Sequence, residues 1–418
     1  MRVLLLGLNY APEPVGIGPY TTGVAEALVA AGHTVEVVTT RPYYPAWRVE
    51  PAHAGRGWKR ETMNGVELVR CPIYVPGYPG GIRRVLHHFS FALSALAPLL
   101  AATRRRPDLV MVVAPSLLSV PIAWAAAKLA RARLWVHVQD FEVEAAFATG
   151  LIGNRGWFRR AALAVENRIL RAADLVSTIS PQMVAKLIVK GVTSTRVREL
   201  RNWAEDAFRP TPDGVARYRQ EWDLRYRHVL LYSGNIAAKQ GVGILIDAAR
   251  LLLMRSDIIL VICGEGSNRA ALESSAFGLP NIRLAPLQPA ERMGDLLALA
   301  SVHLLPQSPG AADLVLPSKL TNILASGRPV VATAAPGTGL YEEVEGCGLA
   351  TPPGDAEAFT KAILTLIDHP IRRTAMGKVA TERARERWSR QTILAQFVAT
   401  AETLAAQPEP AVGAELTV

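Results

Sequence analysis

The chain has 418 residues, half of them hydrophobic, and a formal net charge of +10. That length exceeds one ordinary core and suits two domains, and the apolar share excludes a disordered chain. The charge is lopsided: residues 1–210 carry 26 Lys+Arg against 15 Asp+Glu, the remainder 20 against 21, so the basic half suits an anionic membrane or a pyrophosphate substrate.

The N-terminus, residues 1–9, is too short for a signal h-region and reads as a first strand, Val3–Gly7. A helix over Tyr20–Ala31 stops at Gly32-His33, and Val35–Thr39 is the second strand. Val85–Thr103 is apolar but interrupted by His87, His88 and Pro98, and Arg83-Arg84 and Arg104–Arg106 flank it. A spanning helix needs about 20 apolar residues. The stretch therefore reads first as a buried domain helix and second as an interfacial helix with basic ends. Leu109–Ala114 and Leu134–Val138 are buried strands around a helix at Pro121–Ala132; strand Asp174–Ile179 and helix Pro181–Lys190 follow.

The sheet pattern lapses over Arg201–Arg227, whose start is taken as the linker. It then restarts with strands Val229–Ser233, Ile258–Cys263, Ile282–Leu284 and Val302–Leu305. Helices Gly243–Leu253, Arg269–Ala276 and Ala290–Ala298 lie between them. Helices Ala356–Asp368, Ile371–Arg387 and Ser389–Leu404 close the pattern, and Pro408–Val418 reads as a frayed tail. Short apolar strands alternating with helices specify an α/β chain with two doubly wound parallel sheets, whose ligands bind at strand carboxyl ends. The boundaries read as 1–203, 204–388 and a C-terminal segment 389–418.

Five segments carry chemistry. Gly16-Ile17-Gly18 opens onto a helix N-terminus, a setting that favours an anion. Ser233-Gly234-Asn235 leads to Lys239-Gln240-Gly241 after the first strand of the second domain, and Gly264-Glu265-Gly266 follows the next strand. His137, Gln139, Asp140, Glu142 and Glu144 gather polar groups at the end of a buried strand. The stretch Asp313–Thr333 reads as a loop, a helix of about three turns, a stop at Gly327-Arg328-Pro329 and a short strand. Ser318 caps the helix, and Ser318, Lys319 and Asn322 gather at its N-terminus as a phosphate site. Cys71, Cys263 and Cys347 form no CxxC pair, which argues against a disulfide framework or a zinc site, and Cys263 reads as a small core residue. Without an RNA-binding motif or a basic tail, nucleic acid is not an expected partner. Walker, G-x-S-x-G, H-E-x-x-H and D-x-D patterns are lacking, so no divalent-metal site is expected.

These motifs, in this order, resemble the GT-B glycosyltransferases of retaining family 4. Ala325-Ser326-Gly327-Arg328-Pro329-Val330 matches the end of that family's donor loop. Asn322 stands where its second glutamate holds the ribose, and Asp313 is the carboxylate nearest the first. Asn235 and Gln240 stand for the arginine and lysine that grip the diphosphate, with Lys239 one residue early. The runs G-N-I-x-x-K-Q-G, P-S-K-L-T-N and H-V-Q-D-F-E-V look like a narrower subgroup, the exopolysaccharide enzymes such as colanic acid fucosyltransferase.

The resemblance covers residues 1–404. It implies a GT-B fold, two Rossmann-like domains facing across a cleft, with the last helix crossing back to the first. It also implies transfer, with retention, from a nucleotide sugar (GDP-fucose) to a polyprenyl-diphosphate-linked saccharide. No cofactor is needed, and the enzyme is cytoplasmic and peripheral on the anionic inner-membrane surface. His137, Asp140 and Lys319 are implied as catalytic. Gly16, Ile17, Gly18, Gly234, Asn235, Lys239, Gln240, Gly264, Glu265, Asp313, Ser318, Leu320 and Asn322 are implied as substrate-binding. Two alternatives remain: a GT-B sugar-nucleotide epimerase and a non-catalytic nucleotide-sugar-binding subunit.

Overall fold

The computed structural model describes residues 1–14, 16–77, 81–115, 117–141, 156–204, 209–237, 240–308 and 316–407. Glu142, Glu144, Lys239, Asp313 and the tail from Pro408 lie outside the described residues. The chain forms two compact units, one of Met1–Leu200 together with the segment from Gln391, the other of Arg201–Arg390.

The first unit is built on strands β1 (Arg2–Gly7), β2 (Thr34–Thr40), β3 (Lys59–Met63), β4 (Val66–Cys71), β5 (Leu109–Ala114), β6 (Arg133–Val138), β7 (Leu175–Thr178) and β8 (Val197–Glu199). Their order is β3-β4-β2-β1-β5-β6-β7-β8. All pairings are parallel except β3 with β4. β5 is buried along its whole length, as a strand covered on both faces must be. The sequence pattern missed β3 and β4. β3, Lys-Arg-Glu-Thr-Met, is a charged edge strand, which is how edges avoid pairing with other chains.

Helices α1 (Gly18–Ala30), α2 (Gly81–Thr103), α3 (Val120–Ala130), α4 (Gly156–Arg171) and α5 (Pro181–Val189) serve this sheet. Helix α2 differs from the buried helix expected first. It buries His88, Phe91, Ala95, Pro98, Leu99 and Ala102 but leaves Ile82, Phe89 and Leu93 more than half exposed. The helix is therefore two-faced, with Pro98 on its packed side.

The second unit holds β9 (His228–Ser233), β10 (Ile258–Cys263), β11 (Ile282–Ala285), β12 (Val302–Leu305), β13 (Val330–Thr333) and β14 (Gly348–Thr351). All are parallel, in the order β11-β10-β9-β12-β13-β14. Its helices are α6 (Gly214–Glu221), α7 (Gly243–Leu251), α8 (Arg269–Ala276), α9 (Met293–Leu299), α10 (Lys319–Ala325), α11 (Gly339–Val344), α12 (Ala356–Asp368) and α13 (Pro370–Arg387). In α12 the Asp355 carboxylate accepts from the Ala358 amide at 2.8 Å, capping the helix. Its Phe359, Ile363, Leu366 and Ile367 recur at helical spacing and enter the core against Leu245 and Ala249 of α7. Cys263 is fully buried in β10, as expected.

The chain enters and leaves this unit beside one carboxylate. Buried Glu343 accepts from Arg201 at 2.7 Å and Arg387 at 2.8 Å, and the Ala204 amide donates to Trp388 O at 2.9 Å. The last helix, α14 (Arg390–Ala405), then joins the first unit. Phe397 stacks on Trp135 at 5.7 Å and meets the His137 ring edge-on at 5.1 Å, and Glu402 pairs with His33 at 3.0 Å.

Candidate active site

In each sheet the strand order reverses direction once, between β1 and β5 and between β9 and β12. Such switch points leave a crevice beyond the strand carboxyl ends. The loops there hold most of the residues singled out from the sequence.

In the second unit the loops after β9 and β10 are joined backbone to backbone. Gly234 N donates to Cys263 O at 2.9 Å, Ile236 N to Glu265 O at 2.8 Å and Asn268 N to Ile236 O at 3.0 Å. The approach is so close that a Cβ on Gly264 would lie 1.9 Å from Gly234 O, and one on Gly266 would lie 2.3 Å from Ile236 O. Both glycines also have φ near +155°, which L side chains resist. Arg269, which the sequence reading passed over, ties the turn by donating to Gly264 O and, at 2.7 Å, to Ala285 O.

Lys319 reaches across to this pair of loops. Its Nζ sits 4.2 Å above the Tyr232 ring, and a Cβ on Gly234 would come within 3.3 Å of it. The Tyr232 hydroxyl is engaged elsewhere, donating to Asn235 O at 2.6 Å. The Lys319 Nζ itself is enclosed and has no hydrogen-bond partner. Burial lowers its pKa from 10.5 to about 7, since a charge without an anion or water is penalised. The arrangement is a cation held ready for an anion that the fold does not supply. Tyr232 supplies the ring face that makes a desolvated ammonium tolerable, and nothing local in the sequence pairs it with a lysine so far along the chain.

The neighbouring residues divide. Asn235 is exposed at the loop tip, Gln240 and Asn322 are partly buried, and Glu265 is exposed with Arg269 at 3.6 Å. Ser318 does not cap its helix: it has helical angles and accepts no capping bond, because the preceding Pro317 carbonyl already accepts from Leu320 N at 2.9 Å. The helix is also shorter than the three turns expected, seven residues. Leu320 is fully buried among Leu305, Leu324 and Val330, and its amide is used, leaving neither side chain nor N–H for a ligand. Gly327 does end the helix, with φ +70°.

In the first unit, Gly16 has φ +76° and lies so near Tyr44 that a Cβ would be 2.9 Å from the ring. Ile17 accepts the Thr21 amide at 3.0 Å, and Gly18 opens α1 against the Glu13 backbone. Glu13, which the sequence reading left out, organises this loop. One carboxylate oxygen accepts the Tyr43 and Tyr44 amides, each at 2.9 Å, and the other accepts Asn9 Nδ2 at 2.8 Å. Burial raises its pKa, and those donors oppose the rise.

His137, at the end of β6, is buried and fully occupied. Its Nδ1 meets Ser177 Oγ at 2.8 Å and its Nε2 meets the Gln139 amide nitrogen at 3.0 Å. With that amide donating, Nδ1 carries the ring hydrogen and Ser177 Oγ accepts from both His137 and Trp135 Nε1. Burial drops the His137 pKa to about 3. Asp140 follows, partly buried.

Among the described residues no group of three or more His, Cys, Asp or Glu could hold a metal ion. The arrangement thus offers two glycine-lined loops, an enclosed lysine and a carboxylate-braced loop, all at strand carboxyl ends.

Comparison with known proteins places this geometry. A glycosyl transferase 4-like domain matches residues 15–203, and a glycosyl transferases group 1 domain matches residues 227–369. A relative from Escherichia coli K12, bearing the name colanic acid biosynthesis glycosyl transferase WcaI, is 40% identical over 95% of this chain and 99% of its own. The fold is similar to sucrose-phosphate synthase of Thermosynechococcus elongatus, with TM-score 0.76 at 20% identity over 97% of this chain and 99% of that one. It is also similar to Anabaena HepE in complex with UDP-glucose, with TM-score 0.69 at 16% identity over 96% and 100%. With its two parallel-sheet domains and both domain matches in sequence order, the chain belongs to the GT-B glycosyltransferases.

Proposed function

We propose that this glycosyltransferase moves a sugar, fucose from GDP-fucose, onto a polyprenyl-diphosphate-linked saccharide during exopolysaccharide assembly, with retention of configuration. The observation that carries the reading is Lys319, an enclosed ammonium without an anion beside a glycine-lined loop. The bond from the sugar anomeric carbon to the diphosphate oxygen breaks, and its electron pair stays on the diphosphate. Lys319 meets that charge where the site excludes water, and fixed charges act most strongly there. Glycine at 234 leaves room for it. The acceptor hydroxyl attacks from the face the diphosphate leaves, and a diphosphate oxygen takes its proton. Protein cations, rather than a bound metal, neutralise the leaving group. The relative's name supports exopolysaccharide chemistry, and the UDP-glucose complex of HepE supports a nucleotide-sugar donor.

The test incubates purified protein with polyprenyl-diphosphate-glucose and a panel of nucleotide sugars including GDP-fucose, with lipid products read by mass. A mass gain of one deoxyhexose with GDP-fucose alone is expected. Gain with another donor replaces fucose. Isomerised donor without acceptor makes the protein an epimerase. Saturable donor binding without turnover on any acceptor makes it a binding subunit.

A further inference from the structure

Helix α2 carries a feature that donor chemistry does not use. At about 100° per residue, Ile82, Leu86, Phe89, Leu93, Leu96 and Leu100 fall within roughly 80° of arc on one side of the helix. Each is exposed, from 38% at Leu96 to 75% at Ile82. The opposite side, centred on Phe91, Ala95 and Leu99, is packed into the first unit. Single exposed leucines are ordinary on a protein surface, but a continuous stripe along 23 residues is not. Trp58, 53% exposed, lies beside it, with its indole N–H donating to Ser94 O at 2.9 Å. The helix contains no Asp or Glu. Arg83 and Arg84 stand exposed at its start and Arg104 and Arg106 just past its end, none in an ion pair among the described residues.

We infer that α2 is the surface by which this protein lies on an anionic lipid bilayer, its apolar stripe immersed among the acyl chains and its terminal arginines on the headgroups. An apolar face with basic ends and an interfacial tryptophan is what such a surface selects. A second copy of the chain fits worse. Two such helices pairing about a two-fold axis set arginine clusters against arginine clusters in either direction, with no carboxylate on the helix to offset them. A spanning role fits worse still. It would strip Phe91, Ala95 and Leu99 from the core of the first unit and drag buried His87 and His88 into hydrocarbon. This docking surface rests on the proposed lipid-linked acceptor for its purpose, but its test does not involve donor or acceptor.

The full-length protein is sedimented with vesicles of phosphatidylcholine alone and of phosphatidylcholine with phosphatidylglycerol, at low and high salt. Binding to the anionic vesicles at least tenfold tighter than to the neutral ones, weakening as salt rises, is expected. The triple variant Ile82→Gln/Phe89→Gln/Leu93→Gln should lose most of that binding. These side chains are exposed, so its circular dichroism and thermal midpoint should match the parent. Arg83→Glu/Arg84→Glu provides a second arm, expected to remove the preference for anionic lipid. Parent-level vesicle binding by the triple variant overturns the inference. So does a parent that is dimeric by sedimentation velocity and becomes monomeric in the triple variant, and so does a parent that only detergent releases from vesicles. Failure of sugar transfer with vesicle binding intact would sink the acceptor reading and leave this one standing.

Discussion

At the residue scale, Lys319 and His137 show how burial assigns opposite parts to two groups implied as catalytic. Lys319 has no partner, so its protonation is free to respond to a ligand. Its folded pKa, about 7, lies below the unfolded value near 10.4, so the unfolded chain holds the extra proton between those limits. Stability of the donor-free protein therefore rises as pH increases from about 7 to about 10, and Lys319→Met should flatten that rise. A diphosphate beside Nζ restores the proton. At pH 8 donor binding should take up protons, read by calorimetry in buffers of different ionisation enthalpy; zero uptake would remove Lys319 from the diphosphate site. Lys319→Ala should lower turnover by at least a hundredfold, the scale of losing one charged transition-state contact, with folding intact. His137 is the reverse case. Its pKa near 3 keeps it neutral at every pH from 5 to 9, so the pH–rate profile should show no imidazole inflection from it. His137→Gln should retain activity within about tenfold; complete loss with an unchanged fold would restore it to the chemistry.

At the scale of elements, the two joined glycine loops are the most constrained part of the second unit. Gly264→Ala meets both a 1.9 Å clash with Gly234 O and a φ of +153°. The loss should be about 3 kcal/mol or more, with donor affinity falling alongside, and chemical denaturation with nucleotide titration measures both. These loops were legible as glycine runs after apolar strands, because strand-to-helix turns leave that signature. The alternation of β9, β10 and β12 with helices was legible for the same reason. What escaped was pairing across distance: Tyr232 beneath Lys319, Glu13 bracing the Tyr43-Tyr44 backbone, Arg269 tying the Gly264 turn. Each depends on a tertiary approach that no local spacing records. The two faces of α2 escaped because alanines, leucines and a proline populate both sides, and only packing separates them. Ser318 misled because a serine before a helix usually caps it, and here a Pro317 turn made that bond unnecessary.

At the scale of the molecule, the two units differ in how they are drawn from the chain. The second is continuous, and Glu343 fastens its first and last segments through Arg201 and Arg387. The first is split, and α14 completes it by burying Ile393, Phe397, Ala401 and Leu404. Three large apolar side chains at about 1.5–3 kcal/mol each rival the whole stability of an ordinary domain. A chain stopped after Trp388 should therefore keep the thermal transition of the second unit and lose that of the first in calorimetry. Two undisturbed transitions would show that α14 is dispensable. The same split sets an order of events on the ribosome. The first half emerges early, yet Trp135 and the strand beside it wait for their covering helix while some 190 further residues are made. At about 5–20 residues per second that wait is on the order of 10–40 seconds, during which the newborn N-terminal half is chaperone clientele and its partner domain matures first.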